Sequence, residues 1–126
     1  MRLLIDTHVL LWSIDDPSRL AAPARRAIES IENDIFVSAV CLWEIAIKLR
    51  SGRLKAADDL PDQIADHPDF RLLPIETEHV WRVRRLPRIH GDPFDQLLIA
   101  QALVENMTVV THDRIIGQYG VPIITA

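Results

Sequence analysis

One cysteine in 126 residues, Cys41, leaves no partner for an internal disulfide and no basis for a thiol-only metal site within the chain. A reducing, cytoplasmic setting is expected. No uncharged apolar run is long enough to span a bilayer, so no membrane attachment is expected. Met1-Arg2-Leu3-Leu4-Ile5 meets Asp6 too soon for a signal peptide. Low-complexity tracts and internal repeats are absent. Excess positive charge is absent too: 14 Lys and Arg stand against 18 Asp and Glu, for a formal net charge of −4. Nucleic-acid binders draw most of their non-specific affinity from phosphate neutralisation. Global charge therefore argues weakly against such a partner, and a nucleic-acid function must rest on a local site. What is present is ordinary for a globular protein, with 48% hydrophobic and 25% charged residues. A chain of this length fits one domain, 1–126, around one core.

The apolar pattern alternates between strands and helices. Leu3-Leu4-Ile5 is a short continuous apolar run, expected as a buried strand. Thr7 is expected to cap a short helix through Val9, Leu10 and Trp12, which Asp15-Asp16-Pro17-Ser18 breaks. Pro23 suits the first turn of a helix from Ala24 to about Glu32. Ile35-Phe36-Val37 reads as a second buried strand, and Ser38 as the N-cap of a helix carrying Val40, Trp43, Ile47 and Leu49. Ser51-Gly52 stops that helix. A short helix is expected from Leu60 to Ala65 and a third strand over Phe70–Leu73. Thr77 is expected to cap a helix bearing Val80, Trp81, Val83 and Leu86, which Pro87 ends. Asp92 reads as an N-cap and Pro93 as the first residue of a helix through Val104. Thr108–Thr111 and Ile123-Ile124 complete the strands. This order implies βαβ units and a parallel sheet covered on both faces. In such sheets ligands sit beyond the carboxyl ends of the strands, where strand order reverses.

Four acids fall where that rule is useful. Asp6 ends the first strand and Asp113 lies just past the fourth. Glu44 lies in the second turn of the helix after strand two, and Asp95 in the first turn of the helix opened by Asp92. Crowded carboxylates repel, and without a cation at least one stays protonated. Magnesium or manganese removes the conflict, being hard ions that take carboxylate and water oxygens. No histidine-rich or thiol-rich spacing points to zinc. A metal site of this kind also takes a substrate phosphate, and its ion can activate a water for attack on phosphorus. Each acid has a plainer explanation as well. Glu44 stands four residues before Lys48, a common helix-surface pair. Asp92 serves as a cap, Asp95 suits the helix dipole, and Asp113 can cap a turn. Asp6 is hardest to explain plainly, because an acid at the end of a buried strand must find a partner.

Other polar residues carry less. Thr7 and Ser38 are accessory candidates, Ser38 either as a cap or as a group positioning a water or a carboxylate. His8 and His112 adjoin site acids and read as local hydrogen-bonding residues. Cys41 reads as a small buried apolar group. Trp12, Trp43 and Trp81 read as core or interface residues. Arg82, Arg84, Arg85 and Arg88 form a basic run, either a solvated helix face or a phosphate-steering element, with Arg85 and Arg88 nearest the Asp92 loop.

At this point the chain resembles a known family. Ile5-Asp6-Thr7-His8-Val9-Leu10-Leu11-Trp12 is similar to the opening of a PIN domain. Trp43-Glu44-Ile45-Ala46-Ile47-Lys48 resembles that family's central acidic helix. His90-Gly91-Asp92-Pro93-Phe94-Asp95-Gln96-Leu97-Leu98-Ile99-Ala100-Gln101-Ala102 resembles its third motif, and Thr111-His112-Asp113 its fourth. Each motif alone is weak; the four in this order and spacing are specific, and they cover nearly the whole chain. The group most resembled is the VapC-type toxins of toxin–antitoxin pairs. The resemblance implies a three-layer, Rossmann-like α/β fold with a central parallel sheet of about five strands. It implies an endoribonuclease dependent on Mg2+ or Mn2+ and acting on single-stranded or loop RNA. It also implies a homodimer and a small antitoxin protein whose segment covers the active site. Asp6, Glu44, Asp95 and Asp113 are implied as the catalytic acids and metal ligands. Gln96 departs from the arginine often found there. Asp92 belongs to the Asp-Pro-Phe-Asp subtype.

Other classes fit less well. A dinucleotide enzyme needs a Gly-rich turn after strand one, where Asp6-Thr7-His8 stands. A phosphate-accepting receiver needs an acid ending strand three and a lysine near strand five, and Leu73-Pro74 and Ile123-Ile124-Thr125 offer neither. A phosphatase with an aspartyl nucleophile needs a second acid two residues after Asp6, and His8 is there. The remaining alternative is a non-catalytic PIN-like module that binds RNA or protein.

Overall fold

Leu3, Leu4 and Ile5 have no solvent-exposed surface, and the strand they build is the centre of the sheet. Consecutive strand residues point to opposite faces. Complete burial of three in a row therefore means that both faces are covered, as the continuous apolar run requires. The computed structural model describes Met1–Ala126. Its strands are β1 (Arg2–Ile5), β2 (Asp34–Ser38), β3 (Phe70–Leu73), β4 (Thr108–Thr111) and β5 (Ile123–Thr125). They form one sheet in the order β3-β2-β1-β4-β5, and every neighbouring pair is parallel. Leu3 faces Ile35 on one side and Thr108 on the other. From β1 the chain builds outward to β3 and then returns to lay β4 and β5 on the opposite side. The order thus reverses between β1 and β4, which places a crevice beyond Ile5 and Thr111.

Six α-helices surround the sheet: α1 (Thr7–Asp15), α2 (Ala22–Glu29), α3 (Ala39–Arg50), α4 (Leu60–Asp66), α5 (Thr77–Arg82) and α6 (Pro93–Glu105). The expected α/β architecture and its strand positions are as observed. Several local expectations change. Asp6, not Thr7, caps α1: the Val9 N–H donates to Asp6 Oδ1 at 2.9 Å. α2 spans Ala22–Glu29 and ends before Glu32, because Ser30 leaves helical geometry. Glu76, not Thr77, is the N-cap of α5, its N–H donating to His79 Nδ1 at 3.0 Å. That helix stops at Arg82 and continues as a 3-10 turn, Val83–Arg85. Of the two readings for Trp43 and Trp81, core or interface, exposures of 45% and 64% exclude the core and leave the interface. Cys41 is buried as expected, and burial pushes its thiol up to about 12, so it is inert.

α3 and α6 carry site acids, and they end as their sequences dictate. Ser38 Oγ accepts from the Val40 N–H at 3.0 Å, and Gly52 takes a positive φ of 75° just past the helix. Asp92 Oδ1 accepts from the Phe94 and Asp95 N–H groups at 2.9 and 3.2 Å. Asn106 closes α6 in the left-handed region at φ 55°, which asparagine tolerates. Leu97 through Ala102 are all buried, so α6 runs through the interior rather than over it.

A polar chain crosses this interior. Ser38 Oγ donates to Gln101 Oε1, and Gln101 Nε2 donates to the Pro74 carbonyl at 3.2 Å. Gln101 and His79 are both fully buried. His79 Nδ1 accepts from Glu76, so the ring's proton sits on Nε2, 2.9 Å from Glu105 Oε1. His79→Ala opens a cavity and strips the Glu76 N–H of its acceptor. The expected loss is about 3 kcal/mol of stability, read as a lower urea midpoint with unchanged slope. An unchanged midpoint would show that the network does not hold α5 against α6.

Candidate acidic cleft

The crevice beyond β1 and β4 is lined by Asp6, Thr7, His8, Glu44, Lys48, Asp92, Asp95, His112 and Asp113, with no hydrophobic residue among them. Its volume is about 430 Å³. All four acids singled out in the sequence reach it. Asp6 does so from the end of β1, and Asp113 from the turn after β4. Glu44 projects from the buried face of α3, beside Val40, Cys41 and Ile45. Asp95 projects from the first turn of α6.

Each acid is held differently. Asp6 uses both oxygens: Oδ1 caps α1, and Oδ2 accepts from Thr111 Oγ1 at 2.5 Å. Burial raises its carboxyl above the ordinary aspartate value, against the opposing effect of those bonds. Thr111 in turn accepts from the Asp113 N–H at 2.9 Å, so one hydroxyl ties Asp6 to the Asp113 turn. Glu44 Oε1 accepts from Thr7 Oγ1 at 2.6 Å, and Glu44 Oε2 meets Lys48 Nζ at 2.5 Å. The expected Glu44–Lys48 pair is therefore real, and it lies inside the cleft instead of on an outer surface. Asp113 Oδ1 caps the 3-10 turn Arg114–Tyr119 through the Ile115 N–H, so its plainer role is also real. The same holds for Asp92 as a cap.

Asp95 is the acid most out of balance. Burial, then the charges of Asp92 and Glu44, push its carboxyl up to about 6. Asp113 adds to this push. Five carboxylates share the cleft with one lysine, Lys48. A strongly negative concavity with five carboxylates fits a hard divalent cation, which would bring Asp95 back to its ionised form.

Three candidates lie elsewhere. Ser38 is fully buried, spent on the α3 cap and on Gln101, and does not reach the cleft. Arg85 lines a groove with Trp81, Arg82, Arg84 and Leu103. Arg88 lines a neighbouring concavity with Arg84, His90 and Gln96. Sequence reasoning missed Thr111 and His90. Thr111 stood inside the fourth motif but looks like a strand residue, and its register across from Thr125 places it at the sheet's carboxyl edge. His90 stood inside the third motif, two residues before Asp92, and that nearness was the available signal.

The comparisons with known proteins agree with this fold. Ribonuclease VapC22 of Mycobacterium tuberculosis is 31% identical over 116 residues, covering 89% of this chain and 87% of that protein. The structure of VapBC2 from Rickettsia felis, bound to a DNA fragment from its promoter, superposes with a TM-score of 0.75 at 14% identity, covering 99% and 98% of the two chains. FitAcB from Neisseria gonorrhoeae superposes with a TM-score of 0.66 at 20% identity, covering 98% and 96%. The PIN domain model matches residues 3–122. With that match running from β1 through the Asp113 turn, the chain belongs to the PIN-domain family.

Proposed function

We propose that this chain is a metal-dependent endoribonuclease and the toxin of a toxin–antitoxin pair. The observation that carries the reading is the convergence of Asp6, Glu44, Asp95 and Asp113 in one cleft without apolar lining, in a PIN-domain chain. The relative VapC22 is a ribonuclease by name, and VapBC complexes share the fold. The 126 residues act as one domain, in the cytoplasm, where RNA is available.

Asp6, Glu44, Asp95 and Asp113 would hold Mg2+ or Mn2+, with Asp92 and Thr7 as accessory groups. When bound, the ion supplies an activated water and neutralises charge on the phosphodiester. The protein's own residues prepare that step. Thr111 and the Val9 N–H fix both Asp6 oxygens, so the carboxylate cannot turn away from the cleft. Thr7 and Lys48 do the same for Glu44, and Lys48 also offers a cation to the substrate phosphate. Arg85 and Arg88 add positive charge outside the acidic cleft, where it can steer RNA into an otherwise repulsive site. Exposed Trp43, Leu49, Val80 and Trp81 supply apolar area for a second copy of the chain and for the antitoxin.

Purified protein should cleave a mixed RNA pool when Mg2+ or Mn2+ is present, and cleavage should stop with chelator and return when metal is restored. Cleavage of equal rate in excess chelator would overturn the reading.

A further inference from the structure

We propose that His90 is a nitrogen ligand of the metal site, joining Asp95 and Asp113 through Nε2. The proposal rests on the metal-dependent reading above and extends its all-carboxylate ligand set. Three independent features of the structure support it.

The first is spacing. Donor atoms of His90, Asp95 and Asp113 all lie within 4.8 Å of one another. His90 Nε2 is 3.4 Å from Asp95 Oδ2. An octahedral ion with bonds of about 2.1–2.2 Å holds adjacent ligands about 3 Å apart and opposite ligands about 4.3 Å apart. The three side chains therefore already stand near the separations that one ion would impose.

The second is an orphaned atom. His90 Nε2 is shielded from solvent and has no hydrogen-bond partner. The approach to Asp95 lacks hydrogen-bond geometry. A buried ring nitrogen left unpaired costs free energy, and such an atom calls for an ion or another ligand.

The third is how the other ring nitrogen is held. Tyr119 Oη lies 2.8 Å from His90 Nδ1 and accepts the His90 backbone N–H at 3.1 Å. Its own proton has the His90 carbonyl as acceptor, at 3.4 Å. We assign the ring proton to Nδ1, donating to Tyr119, because this uses both lone pairs and the single proton of the tyrosine hydroxyl. Nε2 then keeps its lone pair and faces the acids. Histidine ligands characteristically donate their second N–H in this way, which fixes the tautomer and the ring plane. Gln96 completes the clamp, its Nε2 donating to the His90 carbonyl at 2.7 Å. An imidazole nitrogen favours manganese over magnesium, which prefers an all-oxygen shell.

Electron spin echo spectroscopy of the full chain loaded with Mn2+ tests this directly. The expected result is a coupling from a directly bonded nitrogen, altered by labelling histidine with 15N. It should vanish in His90→Gln and persist in His8→Gln. Calorimetry should show Mn2+ affinity falling about 10-fold or more in His90→Gln, with a smaller change for Mg2+. Tyr119→Phe keeps the ring packing and removes the hydroxyl, so it should weaken Mn2+ binding while the nitrogen coupling remains. Bound Mn2+ without nitrogen coupling in the unaltered chain overturns the His90 assignment and leaves the carboxylate site standing. Coupling that survives His90→Gln also overturns it. No Mn2+ binding at all removes the metal reading itself.

Discussion

Asp6→Asn is expected to lower RNA cleavage by more than about 100-fold while leaving the fold intact. The magnitude follows from comparison with residues one shell further out. Replacing a group that merely orients a metal ligand costs about 10–100-fold in affinity or activity, and losing the charged ligand itself should exceed that. The structural half of the expectation is specific to this position. Asp6 caps α1 through Oδ1, and asparagine caps helices as well as aspartate. On the Oδ2 side, Thr111 loses its acceptor and must turn its hydroxyl to accept from the new amide. Removing the buried charge offsets that loss, since burial already disfavours the ionised form of Asp6. Asp6→Ala is the informative contrast, because it also deletes the cap, at about 1 kcal/mol. Rates on an RNA pool with saturating Mn2+, together with thermal melts of the three chains, separate chemistry from folding. Near-normal cleavage by folded Asp6→Asn would remove Asp6 from the ligand set.

Much of the architecture was legible because apolar runs and stop residues are local signals. The uninterrupted Leu3-Leu4-Ile5 run, ending on an acid, marked a buried strand and pointed to its carboxyl end. The Ser38 and Asp92 caps were readable because a cap is decided by one side chain and the next few amides. The errors came where tertiary partners decide. Thr7 has the right chemistry for a cap, but Glu44, 37 residues away, takes its hydroxyl, and Asp6 caps in its place. Glu76 displaced Thr77 as a cap because buried His79 accepts its N–H. Ser38 was readable as a cap, whereas its second bond, to Gln101 on another helix, was invisible. Convergence of the four acids was inferable only through the rule about strand reversal, since no acid lies closer than 18 positions to another of the four (Asp95 and Asp113). His90 went unnoticed because its significance lies in an unpaired nitrogen, and pairing is not a property of sequence.

Asp95→Asn should abolish cleavage and yet stabilise the metal-free protein, a combination that a purely structural acid would not give. Asp95 has an ordinary value of 3.8 and is pushed up to about 6 in the fold, first by burial and then by neighbouring acids. Between those values the folded chain keeps a proton that the unfolded chain releases, so stability falls as pH rises through that window. Above pH 6 the fold carries an ionised, crowded carboxylate at full cost. About two pKa units correspond to about 3 kcal/mol. The side chain retains 26% exposure and sits in the first turn of α6, where a negative charge is favourable, so a net gain of about 1–2 kcal/mol is expected for asparagine. Urea unfolding in chelator should show this gain at pH 8 and most of it lost near pH 4. Excess Mn2+ should reverse the order. A ligand at 100 times its Kd stabilises its host by about 2.7 kcal/mol, and only the chain with Asp95 intact binds tightly enough to collect it. If the metal-free mutant is no more stable at pH 8, the charge crowding at Asp95 is already relieved without a cation. If Mn2+ stabilises both chains equally, Asp95 is not a ligand. Loss of function joined to a pH-dependent gain in stability is therefore the signature expected of an acid held in place for a metal.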